Sequence, residues 1–486
     1  MAYIPTWKAS VNRRWNARNL LHSHAKKLIE WPLWAFLLTL TAACGSDDEE
    51  TEYDDDGVQE TETETYIPER TVMVYMCGEN NLGYNLSSDS TQFYSYLTVD
   101  LSEMIYGSFF LPPDSTHLVV YVDDASSSLP YIAEIKQGYM VLDTGMEFTE
   151  DIISTDPEQM EAILTYMMEA YPAKSYGLVL WGHADGWIVT NDTVPVSDTI
   201  YLSSPATRDI ETVSLGKKKS YGVDNGNNSS STSGYWINIP TLADVLESLP
   251  NKLEYIFADC CQFQCIESLY ELRNAANYII GSPAEIPAVG APYDDILSSL
   301  FDTSDDFYKG IVDNYNTGST YSSYGGVSYT LPLSVAKTEY MEQLAQATYN
   351  ILPELESDSF SVSSVIYYSS LPYSPTARVA IMYDMKDVMV QNVATSPYYD
   401  AWTEAFNQVV VYGLASDYWM TAGYVQFTNN NFTKDNYGGV SMFLPSAYYD
   451  RSNSPSPNET IKQYEWYYDS GLSQLAYWSQ ETNPME

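Results

Sequence analysis

The chain has 486 residues, 45% of them hydrophobic, and a formal net charge of −43 at pH 7. That length suits two or three ordinary domains or one large domain with a companion, and the apolar content argues against a chain disordered throughout. With 65 acids against 22 bases, nucleic acid is excluded as a natural partner, because phosphate binding takes clustered Lys and Arg.

The first 44 residues stand apart, with six Lys or Arg and one acid. After Lys26 and Lys27 comes the apolar run "WPLWAFLLTLTAAC", too short for a membrane span of roughly 20 residues. It fits the hydrophobic region of a signal peptide, although a core helix of an ordinary N-terminus is the competing reading. The long charged stretch ahead of it fits a translation start downstream of Met1. The run ends in "LTAAC" and is followed by "GSDDEE". This resembles a bacterial lipoprotein signal, which implies that Cys44 becomes the lipidated first residue. Thr41 departs from the pattern, since a large aliphatic residue usually stands three before the cysteine and Leu40 comes one step early. Residues 45–67 carry eleven acids and no base, so they repel one another and form an extended tether. An acidic run directly after the lipidated cysteine resembles the signal for display on the outer face of some Gram-negative outer membranes. One acyl chain anchors weakly, so stable attachment implies the multi-acyl modification of lipoproteins.

From Arg70 onward short β-branched runs alternate with helical segments. "TVMVYMCGENNL" reads as a buried strand entering a loop, and "THLVVYVDD" as a second strand with carboxylates at its end. "DPEQMEAILTYMMEAYPA" is an amphipathic helix: Asp156 caps it, Pro157 opens it, and Met160, Ile163, Leu164, Met167 and Met168 share one face. "YGLVLWGHADGW" is a third strand. The stretch between Ile188 and Trp236, which contains "SLGKKKSYGVDNGNNSSSTSGY", is too polar to pack and reads as an exposed loop. "IPTLADVLESLP" then makes a helix leading into a fourth strand, "LEYIFADCCQF", and "ANYIIGSPAEIP" makes a fifth. Further on, "SVAKTEYMEQLAQATYNIL" and "YYDAWTEAFNQVVVYGL" read as helices, and "ARVAIMYDMKDVM" and "GGVSMFLP" as strands. Continuous apolar strands separated by helices predict an α/β fold with a mostly parallel sheet covered on both faces. No repeat of 20–50 residues is present.

In an open parallel sheet, functional residues collect at the carboxyl ends of strands. The third strand ends at His183, and the fourth at Asp259, Cys260 and Cys261. If those strands are neighbours, an imidazole and a thiol face one cleft. The junction of strand and helix there would lower the thiol pKa through the helix N-terminus, and the imidazole would serve acyl transfer. Three of the five cysteines fall within 260–265, but "CCxxxC" lacks the paired spacing of zinc sites. Inert buried thiols, a disulfide or a metal remain the alternatives to a catalytic Cys261. Cys77, Cys260 and Cys265 read as packing residues.

The blocks "VMVYMCGENNL", "LVLWGHADGW", "DCCQFQCIESLYEL" and "GSPAEIPAVGAPYDDIL" occur in the order found in the clostripain-like cysteine peptidases, and "YDMKDV" and "GGVSMFLP" also look like family segments. The resemblance implies a caspase-like three-layer α/β/α fold. With the signal over 1–43 and the tether over 44–67 read above, the resemblance implies a catalytic core over 68–300 and a C-terminal mixed α/β subdomain over 301–486. It implies Cys261 as nucleophile, His183 as partner, and the backbone N–H groups of Ala184 and Cys261 as oxyanion donors. Ala184 stands where the family has Gly, and Cys260 where it has Ala. If that Gly serves a positive φ, the oxyanion hole is displaced. Asp185, two residues past His183, is expected to face solvent. Family preference for Arg or Lys before the cut bond places Asp259 in substrate binding, with an N-cap role for the following helix as its competing assignment. The second pocket acid has no counterpart where Val289 and Ala291 stand. Some family members are cut between histidine and cysteine, and Lys217, Lys218 and Lys219 lie in that interval. Calcium is needed by the family's namesake, but no motif here marks a site. The expected function is a monomeric, surface-tethered cysteine endopeptidase acting on peptides or proteins. A lipoprotein that kept the fold, lost catalysis and binds peptides or glycans is the alternative.

Overall fold

The computed structural model describes residues 66–84, 94–126, 129–187, 220–226, 234–318, 331–356, 360–374, 377–414, 436–450 and 456–475, with short pieces at 321–322, 328–329, 419–421 and 426–427. Residues 67–320 and 329–486 make up one compact unit, and all that follows concerns its described part. The signal sequence, Cys44, the acidic run of the tether, and Lys217, Lys218 and Lys219 lie outside the described residues.

The strands, in chain order, begin with β1 (Arg70–Gly78), β2 (Thr116–Asp124), β3 (Tyr131–Lys136), β4 (Tyr139–Leu142) and β5 (Ser175–Trp181). Then come β6 (Tyr221–Asp224), β7 (Tyr235–Ile237), β8 (Leu253–Asp259), β9 (Ala276–Gly281) and β10 (Leu333–Lys337). The last are β11 (Tyr367–Ser374), β12 (Ala377–Asp384), β13 (Val410–Leu414) and β14 (Ser441–Met442). The helices used below are α1 (Tyr96–Gly107), α2 (Pro157–Ala170), α3 (Ile239–Glu247), α4 (Ile266–Glu271), α5 (Tyr293–Leu300), α6 (Phe307–Gly318), α7 (Met341–Ile351), α8 (Met385–Val393) and α9 (Tyr399–Val409).

Nine strands form one sheet in the order β13-β10-β9-β8-β5-β1-β2-β3-β4. Its five central members, β9, β8, β5, β1 and β2, run parallel, and the flanking pairings are antiparallel. All nine residues of β1 are buried, as a strand covered on both faces requires. Successive side chains take opposite faces. On β8, Ile256 and Ala258 join Met73, Tyr75, Leu178 and Leu180 in the core that also receives α2 and α3. Tyr255 and Phe257 point the other way, their rings 5.4 Å from Phe307 and 6.2 Å from Tyr315 on α6. This is the three-layer α/β/α arrangement. On α2 the Asp156 carboxylate accepts the Glu158 and Gln159 N–H groups, and the five predicted apolar residues are the buried ones.

Four expectations change. "SVAK" is not helical: it is the body of β10, and the helix begins only at Met341. "VVYGL" is likewise β13, following α9, because its β-branched residues complete the sheet edge against β10. The part from 301 onward thus builds the central sheet as well as its own three-stranded sheet, β11-β12-β14. The stretch between Ile188 and Trp236 is not wholly exposed loop. Tyr221–Asp224 is buried and pairs with Tyr235–Ile237 as a hairpin. Gly222 makes this close approach feasible: at φ 61°, a Cβ there would lie 2.8 Å from Thr155 Cγ2 and 3.0 Å from Cys77 Sγ.

Candidate active site

Strands β5 and β8 are neighbours and parallel, with Trp181 opposite Asp259. His183 and Cys261 each lie two residues past that pair, at the same edge of the sheet. The two loops that follow touch: a Cβ on Gly186 would lie 2.5 Å from the Gln262 carbonyl and 3.1 Å from Cys265 Sγ. Both candidate side chains are half-buried, while Cys77, Cys260 and Cys265 are fully buried free thiols.

The imidazole is fixed from a third strand. His183 Nε2 lies 2.6 Å from Asn81 Oδ1. An amide oxygen only accepts, so Nε2 carries the hydrogen in this contact. The Trp236 ring stands 6.5 Å from the imidazole. Asn81 belongs to the loop leaving β1, held by Asn80, whose Nδ2 donates to the Cys77 and Val223 carbonyls at 3.0 and 2.8 Å. Sequence reasoning missed Asn81. Its signal was available: a carboxamide three residues past the end of a central strand next to the histidine's strand.

Ala184 forms a bridge with Tyr221. The bridge is made by the His183 carbonyl, which accepts the Gly222 N–H at 2.8 Å, and by the Asp185 N–H, which donates to Ser220 O at 3.2 Å. The Ala184 N–H takes no part in it. Ala184 is not among the residues at positive φ; those in this loop are Gly182 (147°) and Gly186 (59°). Replacing the family glycine by Ala184 therefore carries no backbone strain. The strained residue is Gln262 at φ 55°, directly after Cys261, where a side chain in the left-handed region costs energy. Gln262 is held by its N–H to Ala284 O at 2.9 Å and by its Nε2 to Ser369 Oγ at 3.0 Å.

The thiol is not lowered by a helix terminus, as the sequence suggested. Helix α4 begins at Ile266 with Cys265 as its N-cap, too far along the chain to act on Cys261. Burial raises the Cys261 thiol well above its usual value, the Glu285 carboxylate adds to the rise, the Ile286 N–H opposes it, and Asp185 and Asp259 add further. The sulfur accepts that N–H at 3.3 Å and lies 3.7 Å from the Ile286 carbonyl as a donor. Asp185, expected to face solvent, is half-buried and acts electrostatically on this thiol.

Asp259 is buried and caps no helix. Its Oδ2 accepts the Ala291 N–H at 3.0 Å and the Tyr293 hydroxyl at 2.9 Å, and Oδ1 the Tyr315 hydroxyl at 3.3 Å. Burial lifts its pKa to about 6 against these donors. A second acid does stand nearby, but on α1, outside the segment where the family pattern places it. Gly290, at φ 58°, would bring a Cβ within 2.9 Å of Asp259 Oδ2 and 3.0 Å of Asp100 Oδ2. Asp100 accepts the Trp181 indole N–H at 2.7 Å. Among the described residues, Glu79, Asp123 and Asp151 form the group that could hold a metal ion.

The clostripain family pattern matches residues 74–200 and 211–486 of the chain. Among solved structures, a secreted C11 cysteine protease from Bacteroides thetaiotaomicron in complex with an irreversible peptide inhibitor shares 26% identity. The match covers 84% of this chain and all of that one, with a TM-score of 0.63. An inactive zymogen C11 protease from Parabacteroides distasonis shares 23% identity over 83% of this chain and 99% of that one, with a TM-score of 0.60, and shows the fold. No curated protein matches. With a thiol and an imidazole at one sheet edge and the family pattern spanning most of its length, the chain belongs to the clostripain family of cysteine peptidases.

Proposed function

We propose that the protein is an endopeptidase that cuts peptide bonds with Cys261 and His183, tethered through a lipidated Cys44 to the outward face of a bacterial outer membrane. The observation that carries this reading is the register of β5 on β8, which supports a shared cleft for the residues two steps beyond Trp181 and Asp259. The sulfur starts protonated, so the His183 imidazole takes its proton as it attacks the scissile carbonyl. The resulting imidazolium then protonates the departing amine, leaving a thioester. The Ala184 and Cys261 N–H groups are the donors suited to the oxyanion. Water, deprotonated by the same imidazole, hydrolyses the thioester and restores the thiol. Asn81 positions the ring and touches no substrate.

Preference for a basic residue before the cut bond is part of the proposal. Asp259 and Asp100 flank Gly290, and the −43 charge draws cationic peptides toward the chain. Asp259 acts through the 290–293 wall that it holds. The decisive experiment incubates the protein with a peptide library read by mass spectrometry, beside Cys261→Ala. Cleavage after Arg or Lys that vanishes in the variant is expected. Undiminished cleavage in Cys261→Ala overturns the assignment, and cleavage without basic preference removes the pocket reading.

One observation favours a latent form of the intact chain. The Cys261 thiol is engaged by both backbone groups of Ile286 and raised by Glu285. Cutting at Lys217, Lys218 or Lys219, ahead of β6 in the chain, is the proposed trigger that relieves that state. Full activity in an uncut monomer carrying Lys→Ala at all three positions would dismiss processing as the trigger.

A further inference from the structure

The carboxyl ends of β1 and β2 lie side by side, Gly78 opposite Asp124 and Cys77 opposite Asp123, and Glu79 follows at the end of β1. Glu79 and Asp123 are 0% and 2% exposed. Asp151, half-buried in the loop ahead of α2, joins them, and one carboxylate oxygen from each residue lies within 4.8 Å of the others. Gathering carboxylates out of water costs both desolvation and repulsion unless something positive compensates. Asp123 Oδ2 is fully buried and accepts no hydrogen bond. The adjacent Asp224 interacts with Glu79 and Asp123, and it also accepts the Ser154 N–H and hydroxyl at 2.6 and 3.0 Å and the Gly226 N–H at 2.8 Å. It holds the neighbouring turns in place.

We propose that Glu79, Asp123 and Asp151 bind one hard divalent cation, calcium or magnesium, and that the ion braces the loop carrying Asn81. An all-oxygen, anionic donor set is what such cations select, and two metal–oxygen bonds of about 2.3–2.6 Å span up to about 5 Å between donors. Water completes the coordination from the Asp151 side. The calcium expectation drawn from the family resemblance named no residues; these three acids give it a place. Glu79 is two residues from Asn81, and its carbonyl accepts the Asn225 Nδ2 at 2.6 Å. An ion on its carboxylate fixes the loop that presents Asn81 to His183. Binding stands independently, whereas the brace rests on the peptidase reading above.

Calorimetric titration of calcium, and separately of magnesium, into the chelator-stripped full chain tests the site. The Cys261→Ala background removes self-cleavage from the result. One saturable site is expected, together with a higher melting temperature when the ion is present. In Asp123→Asn and Asp151→Asn the affinity should fall at least about tenfold, since each removes one anionic ligand of three, and the melting response should disappear. The acidic run at 45–67 is intact in both variants, so an ion held there would bind them unchanged. Binding unaffected by either substitution, or no saturable binding of either ion, overturns the site. So does a rise in the melting temperature of Asp123→Asn with no response to ions, the signature of carboxyls that merely share a proton. Asp151 is half exposed, so its variant keeps the test alive if Asp123→Asn fails to fold. In the wild-type chain, chelation should lower kcat and move its pH profile toward that of Asn81→Ala. A kcat indifferent to the bound ion overturns the brace.

Discussion

Two clusters share one edge of the central sheet. At the ends of β5 and β8 a thiol and an imidazole are half-buried; at the ends of β1 and β2 two carboxylates are wholly buried, beside a half-buried third. The same topology delivers both, because parallel strands all present their carboxyl ends on one side. Burial separates their chemistry. A neutral thiol and imidazole tolerate partial desolvation, whereas neighbouring carboxylates call for an outside cation or a retained proton. The loop from Glu79 to Asn81 joins the clusters, since one residue belongs to each.

Breaking that joint gives the largest effect expected. In Asn81→Ala the imidazole loses the 2.6 Å contact that fixes its tautomer and plane. Peptide hydrolysis should drop about 10- to 100-fold in kcat, the loss that follows a misplaced catalytic group, with KM little changed. A structural role alone would leave the pH dependence of kcat in place, so the decisive readout is a shift of its His183-dependent limb. Equal profiles for parent and variant would separate the two clusters functionally.

A smaller change sharpens the thiol side. After burial, the Glu285 carboxylate is the main influence raising the Cys261 thiol. Glu285→Gln removes that field, so more thiolate exists at a given pH. Alkylation by iodoacetamide near neutrality should accelerate on the order of two- to tenfold, as a shift of up to one pKa unit implies. An alkylation curve that does not move would mean that burial, and not the Glu285 charge, sets this thiol.

How much of this could be read from residues follows from the same contrast. The central strands and α2 were legible because burial on both faces leaves unbroken apolar runs, and because Asp156 and Pro157 mark a helix start. Nothing local told "SVAK" from the first turn of α7. Its strand identity comes from Lys337 and Ala336 meeting Tyr278 and Ile279 of β9, a partner well upstream in the chain. The β6–β7 hairpin was hidden for a similar reason: Ser, Gly and Asn around it signal exposure, while Tyr221 and Val223 are buried. In the site, the strand ends placed His183 and Cys261 at one sheet edge, and the register of β5 on β8 has them there. Asn81, Ile286 and Asp100 were not legible, because their roles arise from loops meeting in space. The helix start expected at Cys261 lies at Ile266, since Gln262 in the left-handed region turns the chain first.

The smallest effect concerns a buried acid whose neighbours are all internal. Burial raises Asp259 from 3.8 to about 6, against its hydrogen bonds from Ala291, Tyr293 and Tyr315. Between roughly pH 4 and 6 the folded chain keeps a proton that the unfolded chain has released, so stability falls as pH rises through that window. Above the folded pKa the accumulated penalty is about 3 kcal/mol, at about 1.4 kcal/mol for each pKa unit. Asp259→Asn removes the titration while preserving the shape. Its Oδ1 accepts the Ala291 and Tyr293 donors, and its Nδ2 faces the Tyr315 oxygen. Whatever the variant's melting temperature at pH 4, its difference from the parent should move in the variant's favour between pH 4 and 7, by a few degrees. Acids that remain in both chains, such as Glu267, raised by burial to about 8, cancel in that difference. Parallel melting curves across the range would mean that Asp259 stays ionised in the folded chain. Its three donors would then outweigh its burial, and it would resemble the acids beside β1 and β2 only in position.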